Sequence, residues 1–259
     1  MKQQYGHVSA SVDGHVAVLE LNRPPHNHVS VEFMHDLADA FMDVDRERTL
    51  RCTVLAAAGK TFCGGADLTA PAPLGGSPAT SANALYDEAV RLFSAKKPII
   101  AAVQGAAVGA GLGLALVADF RIASPEARFA ANFVKLGFHP GFGISHTLPR
   151  LIGLQKASLM CLTGRRVKAE EALALGLVDA VVPPEKLRAT ALALAHEIAD
   201  NAPLAVESTR ATFRDGLAAA VKAQTDHEFI EQTRLRKTAD FAEGVRAVNE
   251  RRPGNFTGA

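Results

Sequence analysis

Two short glycine loops hold most of the chemistry that this sequence suggests. The first runs Ala57-Ala58-Gly59-Lys60-Thr61-Phe62-Cys63-Gly64-Gly65-Ala66-Asp67-Leu68, and no bulky side chain stands from Cys63 to Ala66, so a ligand can approach the main chain closely. The second runs Gln104-Gly105-Ala106-Ala107-Val108-Gly109-Ala110-Gly111-Leu112-Gly113 and opens a helix-like stretch. The first turn of a helix leaves N–H groups without intrahelical partners, and these favour a developing negative charge. Two such loops can supply two amides. A pair of amides aimed at one oxygen is an oxyanion hole, in which each donor contributes about 3 kcal/mol in the transition state.

The nucleophile and metal candidates are weaker. Cys63 lies beside the first loop with no histidine nearby in sequence, which is the pattern of a small buried thiol. His26 and His28 stand two apart in a proline-rich turn without a third ligand, so no metal site is expected, and they read as edging a cofactor mouth. Cys52, Cys63 and Cys161 are odd in number and lack a C-x-x-C spacing, which excludes a disulfide framework and points to a reduced, cytoplasmic setting.

The elements that must hold these loops follow from hydropathy patterning. Residues 15–21 (HVAVLEL) read as a strand ended by Asn22-Arg23-Pro24-Pro25. Ser30 can cap a helix whose apolar positions Phe33, Met34, Leu37, Ala38, Phe41 and Val44 recur at three- and four-residue steps. A strand over 52–56 completes a β-α-β start. Residues 69–81, rich in Gly, Pro, Ser and Thr, read as a loop that could serve as a lid, followed by a helix over 83–94. Residues 99–118 carry no charge and are long enough to span a bilayer, but the glycines at 105, 109, 111 and 113 divide them into strand, turn and buried helix. Short strands are expected over 120–123 and 127–131. A glycine-rich connection over 137–143 then leads into a helix through Leu148 and Arg150.

The α/β part is expected to end near Val182. Two regions result: an α/β core over 1–182 and a helical region over 183–259, broken at Asn201-Ala202-Pro203, Gly216 and Gly244. The last segment mixes charge with few large apolar residues and is expected to need a neighbour, either the core or another subunit.

Composition sets the limits. The chain has 259 residues, 48% hydrophobic and 21% charged, with a formal net charge of +1. That suits a globular chain large enough to bury a pocket, and it lacks the basic excess that a nucleic-acid partner requires. The first residues, MKQQYGHVSASVDG, have no apolar stretch after the lysine and so do not read as a secretory signal, and the first sixty residues lack the Arg/Ser-rich, acid-poor look of a transit peptide.

The strings FCGGADL, KKPIIAAVQGAAVGAGLGLALVADFRIAS, LPRLIG, TGRRVKAEEALALGLVDAVVP and FAEGVRAVNERRP, in this order, resemble the crotonase (enoyl-CoA hydratase/isomerase) family nearly end to end. The resemblance implies repeated ββα units with a C-terminal trimerisation region, assembly as a homotrimer or a dimer of trimers, and an acyl-CoA thioester as substrate. Coenzyme A would enter as part of the substrate, with no tightly bound cofactor. By motif position, the Ala66 and Ala110 amides would hold the thioester oxygen and stabilise an enolate, while Gly64, Ala66 and Leu68 would line the adenine pocket.

The chain departs from the family pattern at the acids. Members that hydrate enoyl-CoA place one glutamate two residues after the last loop glycine, here Gly113, and a second after the stretch matching Phe129-Ala130-Ala131-Asn132, here Phe133. The aspartate of dienoyl isomerases and of a dehalogenase branch falls at Gly141. Hydration needs one group to deliver hydroxyl and another to protonate the α-carbon, so ordinary hydratase activity is not expected. The nearest titratable replacement by type is His139, in a turn that borders the reacting carbons in relatives, with His146 behind it. The expectation is an isomerase, lyase or hydrolase step through a thioester enolate. The alternative is a non-catalytic acyl-CoA binding member. Phe133, Phe138 and Phe142 suggest an apolar pocket that tolerates an aromatic acyl group.

Overall fold

The computed structural model describes residues 1–67 and 84–259. Its N-terminal hairpin, β1 (Gln4–Tyr5) and β2 (Val8–Asp13), precedes the strand expected first, β3 (Val16–Leu21), and pairs with it antiparallel. β2 was not legible because its outer half, Ser11 to Asp13, is exposed and polar-flanked, leaving too little apolar alternation to read. From β3 onward the pairing is parallel: β4 (Cys52–Ala57), β5 (Ile99–Val103), β7 (Phe120–Ala123) and β10 (Ala180–Val181). The seven strands lie in the order β1-β2-β3-β4-β5-β7-β10. β4 and β5 are buried at every residue, which accounts for their unbroken apolar runs.

Helices cover both faces. α1 (Val31–Arg46) starts where Ser30 accepts a hydrogen bond from the Phe33 amide, and it buries Phe33, Met34, Leu37, Phe41 and Val44 as its spacing requires. α2 (Ala84–Phe93) packs beside it. On the opposite face, α7 (Pro184–Ala199) buries Leu187, Ala191, Ala195 and Ala199 against Val16, Val54, Ile100 and Ile122. The C-terminal region is thus joined to the sheet by a core of its own. It is also joined by charge: on α8 (Pro203–Phe213) Arg210 Nε donates to Asp119 at 2.8 Å, and the adjoining Arg214 donates to the same carboxylate at 3.0 Å.

A second, three-stranded sheet holds the site. β6 (Ala106–Val108) pairs parallel with β8 (Arg128–Ala130), which pairs antiparallel with β9 (Val167–Lys168). α3 (Ala110–Val117) leaves β6 directly and is buried throughout. The uncharged stretch over 99–118 is therefore strand, strand and core helix. No helix among the described residues is long and apolar enough to cross a membrane. A 3-10 turn (Asn132–Leu136) and α4 (Ile144–Ile152) come after β8, then α5 (Leu154–Thr163) and α6 (Ala169–Leu175).

α9 (Leu217–Leu235) and α10 (Ala239–Asn249) complete the chain. Gly244, expected to break a helix, lies inside α10 instead. A Cβ there would stand 2.5 Å from the Leu136 carbonyl carbon, so glycine serves close packing at about 1 kcal/mol of helix propensity. The break falls at Thr238, whose side chain caps α10 by accepting from the Phe241 amide. The lid expected over 69–81 lies outside the described residues, as does Leu68.

Candidate active site

The two glycine loops meet. Cys63 forms an isolated parallel bridge with Ala107: its N–H donates to the Ala106 carbonyl at 3.0 Å, and its carbonyl accepts from Val108 at 3.1 Å. On its other side the first loop is tied down by Gly64 N–H to the His26 carbonyl (2.8 Å) and Val29 N–H to the Gly65 carbonyl (3.0 Å). The contact leaves no room for side chains. Gly65 has φ +85°, and a Cβ there would stand 2.6 Å from the Val108 carbonyl oxygen; one at Gly111 would stand 2.0 Å from that of Cys63.

Gly109 caps α3 with φ 55° and ψ −122° and offers no side chain to the first-turn amides. Those amides keep their hydrogens available. Ala66 and Ala110 both line one pocket between the loops, together with Gly64, Gly65 and Val108. Neither alanine amide donates to a main-chain carbonyl among the described residues.

The pocket's far end is built from side chains. Phe133 and Leu136 come from the 3-10 turn and Phe138 from just beyond it, Leu85 and Tyr86 from α2, Phe142 from the turn before α4, and Gln232 from α9. Phe133 and Phe138 meet edge to face with centroids 5.5 Å apart, and Phe138 meets Phe241 in the same way at 5.3 Å. Among the described residues, the polar side chains on the lining are Tyr86, Gln232 and Asn132.

Where a side chain at the three acid positions would project, other groups stand. A Cβ at Gly113 would lie 2.5 Å from Phe142 Cδ1, and Phe142 is fully buried with φ +64°. A Cβ at Gly141 would lie 2.0 Å from the Tyr86 hydroxyl. The Phe133 ring is itself part of the wall.

His139 occupies the turn but not the lining. Its Nδ1 lies 2.8 Å from the Pro140 carbonyl, and its ring packs against His227 at 5.8 Å. What His139 brings toward the site is its carbonyl, which accepts from Gln232 Nε2 at 2.9 Å. His146, on α4, is absent from the lining as well. His26 and His28 flank the first loop with centroids 5.2 Å apart, and His28 Nδ1 lies 3.1 Å from the Gly65 carbonyl. No cluster of three or more potential metal ligands occurs among the described residues. Cys63 is fully buried, and burial pushes its thiol up to about 12, so at neutral pH it is a thiol, not a nucleophilic thiolate.

The buried carboxyl nearest the turn is Glu228 of α9. Its oxygens accept from the Gly143 amide (2.7 Å), the Ser145 amide (3.1 Å) and the Ser145 hydroxyl (2.5 Å), which caps α4 from another helix. Burial raises its pKa above the usual carboxyl value, against the pull of those hydrogen bonds. Sequence reasoning missed Tyr86, Gln232 and Glu228. Each meets its partners across a long chain separation, and no local motif marks them.

The model for enoyl-CoA hydratase/isomerase matches residues 11–259. The chain belongs to this family. Among its relatives is an (E)-benzylidenesuccinyl-CoA hydratase of Thauera aromatica, 38% identical over 256 residues, covering 97% of this chain and 99% of that one. A 1,2-epoxyphenylacetyl-CoA isomerase of Escherichia coli K12 is 35% identical, covering 97% and 98%. The crystal structure of an enoyl-CoA hydratase/isomerase from Pseudoalteromonas atlantica T6c superposes with a TM-score of 0.87 at 31% identity, covering 97% of this chain and all of that one. The family's crotonase fold therefore accounts for the sheet pair and for the helices that cover it.

Proposed function

We propose that this protein is an acyl-CoA enzyme that polarises a thioester carbonyl between the Ala66 and Ala110 amides and stabilises the resulting enolate. One observation carries this: two glycine loops from separate strands are stitched together so that Ala66 and Ala110 line one pocket. The apolar remainder of the pocket strengthens such donors, because water does not compete for them. Gly64, Ala66 and Leu68 are assigned to the adenine end of coenzyme A, which arrives with the substrate and is not a resident cofactor.

The chemistry is assigned to isomerase, lyase or hydrolase steps rather than ordinary two-glutamate hydration, since Gly113 and Phe133 supply no carboxylate. A proton-transfer role for the His139 imidazole is not carried into the mechanism, because the ring lies off the lining. An aromatic acyl group is favoured by the phenylalanine wall and by the two relatives named for aryl-bearing thioesters. Leu204 and Phe213 of α8 are 80% and 71% exposed, which supports burial against further copies in a homotrimer or a dimer of trimers.

The test is a panel of aliphatic and aryl enoyl-, epoxyacyl- and β-ketoacyl-CoA thioesters incubated with purified protein and followed by absorbance and mass. Conversion of at least one is expected. Binding without any product would favour the non-catalytic alternative, which a lining without carboxylates among the described residues also suits. A protein that binds none of them would overturn the assignment.

A further inference from the structure

We propose that Asn132 is a specificity-determining residue that binds a neutral oxygen substituent on the acyl chain, close to the thioester; this rests on the thioester assignment above. Of the polar side chains on the described lining, two already bond to protein. Tyr86 donates to Gln232 Oε1 at 2.7 Å, and Gln232 Nε2 donates to the His139 carbonyl at 2.9 Å. The Asn132 carboxamide is half-buried and has no hydrogen-bond partner among the described residues. It opens the 3-10 turn just past Ala130, whose carbonyl accepts from the Gly109 amide at 2.9 Å. β8 therefore delivers Asn132 beside the residue that precedes Ala110.

The space in front of the carboxamide is open. Around the point where a Gly109 Cβ would lie, and apart from the adjoining residues of the chain, the described atoms within 4 Å are Asn132 Oδ1 and Phe133 Cζ, each 3.8 Å away. That is contact distance for a ligand atom, whereas at Gly113 and Gly141 the same point lies 2.5 Å and 2.0 Å from protein. Gly109, Asn132 and Phe133 all line the pocket. With the thioester oxygen on the Ala110 amide, the first acyl carbons pass over Gly109 between a carboxamide and an aromatic ring. A carboxamide carries a donor and an acceptor, does not ionise, and with no partner to fix it can turn either end to the ligand. A ketone oxygen takes the N–H, and a hydroxyl takes either end. A methylene takes neither and leaves the amide unanswered where the ligand has displaced water. A carboxylate or ammonium meets no counter-charge on the described lining, which restricts the class to neutral oxygen.

The experiment is calorimetric titration with phenylpropanoyl-CoA and its α-hydroxy, β-hydroxy and β-oxo counterparts, with ligand integrity followed by mass. At least one oxygenated thioester should bind about fivefold more tightly than the parent, the gain of one hydrogen bond. Asn132→Leu keeps the volume, removes both polar atoms and should bring every ratio close to one. Asn132→Asp presents only acceptors at neutral pH, so it should weaken the β-oxo thioester relative to the parent and spare the hydroxylated ones. A residue that merely supports the turn does not sort ligands by donor and acceptor in this way. Circular dichroism and melting curves report on the fold of each variant. The proposal is overturned if no oxygenated thioester exceeds the parent, or if the ratios survive in folded Asn132→Leu protein; should that variant not fold, unchanged ratios in Asn132→Asp overturn it. Failure of the parent and oxygenated thioesters alike to bind would overturn the thioester assignment together with it.

Discussion

The two ends of the pocket are built by opposite means. At the loop end the main chain does the work: Gly65 and Gly111 touch carbonyls of the facing loop, and the amides of Ala66 and Ala110 present no side chain beyond a methyl. At the acyl end the wall is mostly side chain, drawn from α2, the 3-10 turn, the turn before α4 and α9. Added atoms should therefore damage the loop end, and removed atoms the acyl end. A main-chain site varies little with residue type, whereas a wall of side chains can be rebuilt for each substrate.

Truncation is expected to have its largest effect at Phe142. The ring is fully buried over Gly113, so Phe142→Ala should cost about 3 to 5 kcal/mol of unfolding free energy in urea titrations. A loss below about 1 kcal/mol would mean that the acyl end collapses freely and that the contrast is false. Gly65→Ala probes the other end by addition. Its Cβ meets the Val108 carbonyl in a positive-φ residue, so the loops must part. Once a substrate is found, turnover should fall about 100-fold, which is the loss of one oxyanion donor. The thioester carbonyl stretch of bound ligand, read by difference infrared spectroscopy, should move back toward its solution frequency. An unshifted band would remove the oxyanion assignment.

The smallest effect separates support from chemistry. Glu228→Gln sets an amide N–H against either the Gly143 or the Ser145 donor and should cost about 1 to 3 kcal/mol. The carboxyl's pKa is raised on folding, so between the ordinary glutamate value and the folded one the native chain holds a proton that the unfolded chain has released. Its contribution to stability is full below the unfolded value and is lost as pH rises through the folded value. The Gln variant should lack that slope in stability measured against pH, and an identical slope in both proteins would place the titration elsewhere.

The loops and the helix Val31–Arg46 were readable because their signals are local: glycine spacing, a serine cap, a three-four repeat. The uncharged stretch over 99–118 also resolved correctly from its glycines. β6 was not separable from the loop, since three residues held by pairing with β8 carry no periodicity of their own. The acyl end was legible only as a set of phenylalanines. Tyr86 and Gln232 are separated by 146 positions, and nothing in either neighbourhood announces the other. The His139 expectation rested on residue type and position in the turn, whereas the direction of the imidazole depends on Pro140 and His227.

Phe142 also constrains how this chain can change by substitution. An acid introduced at 113 in one step would drive new atoms into a buried ring, so the ring must shrink first, at a cost in stability. The order of substitution is forced, and the phenylalanine acts as a ratchet that holds the protein to whatever chemistry it now performs.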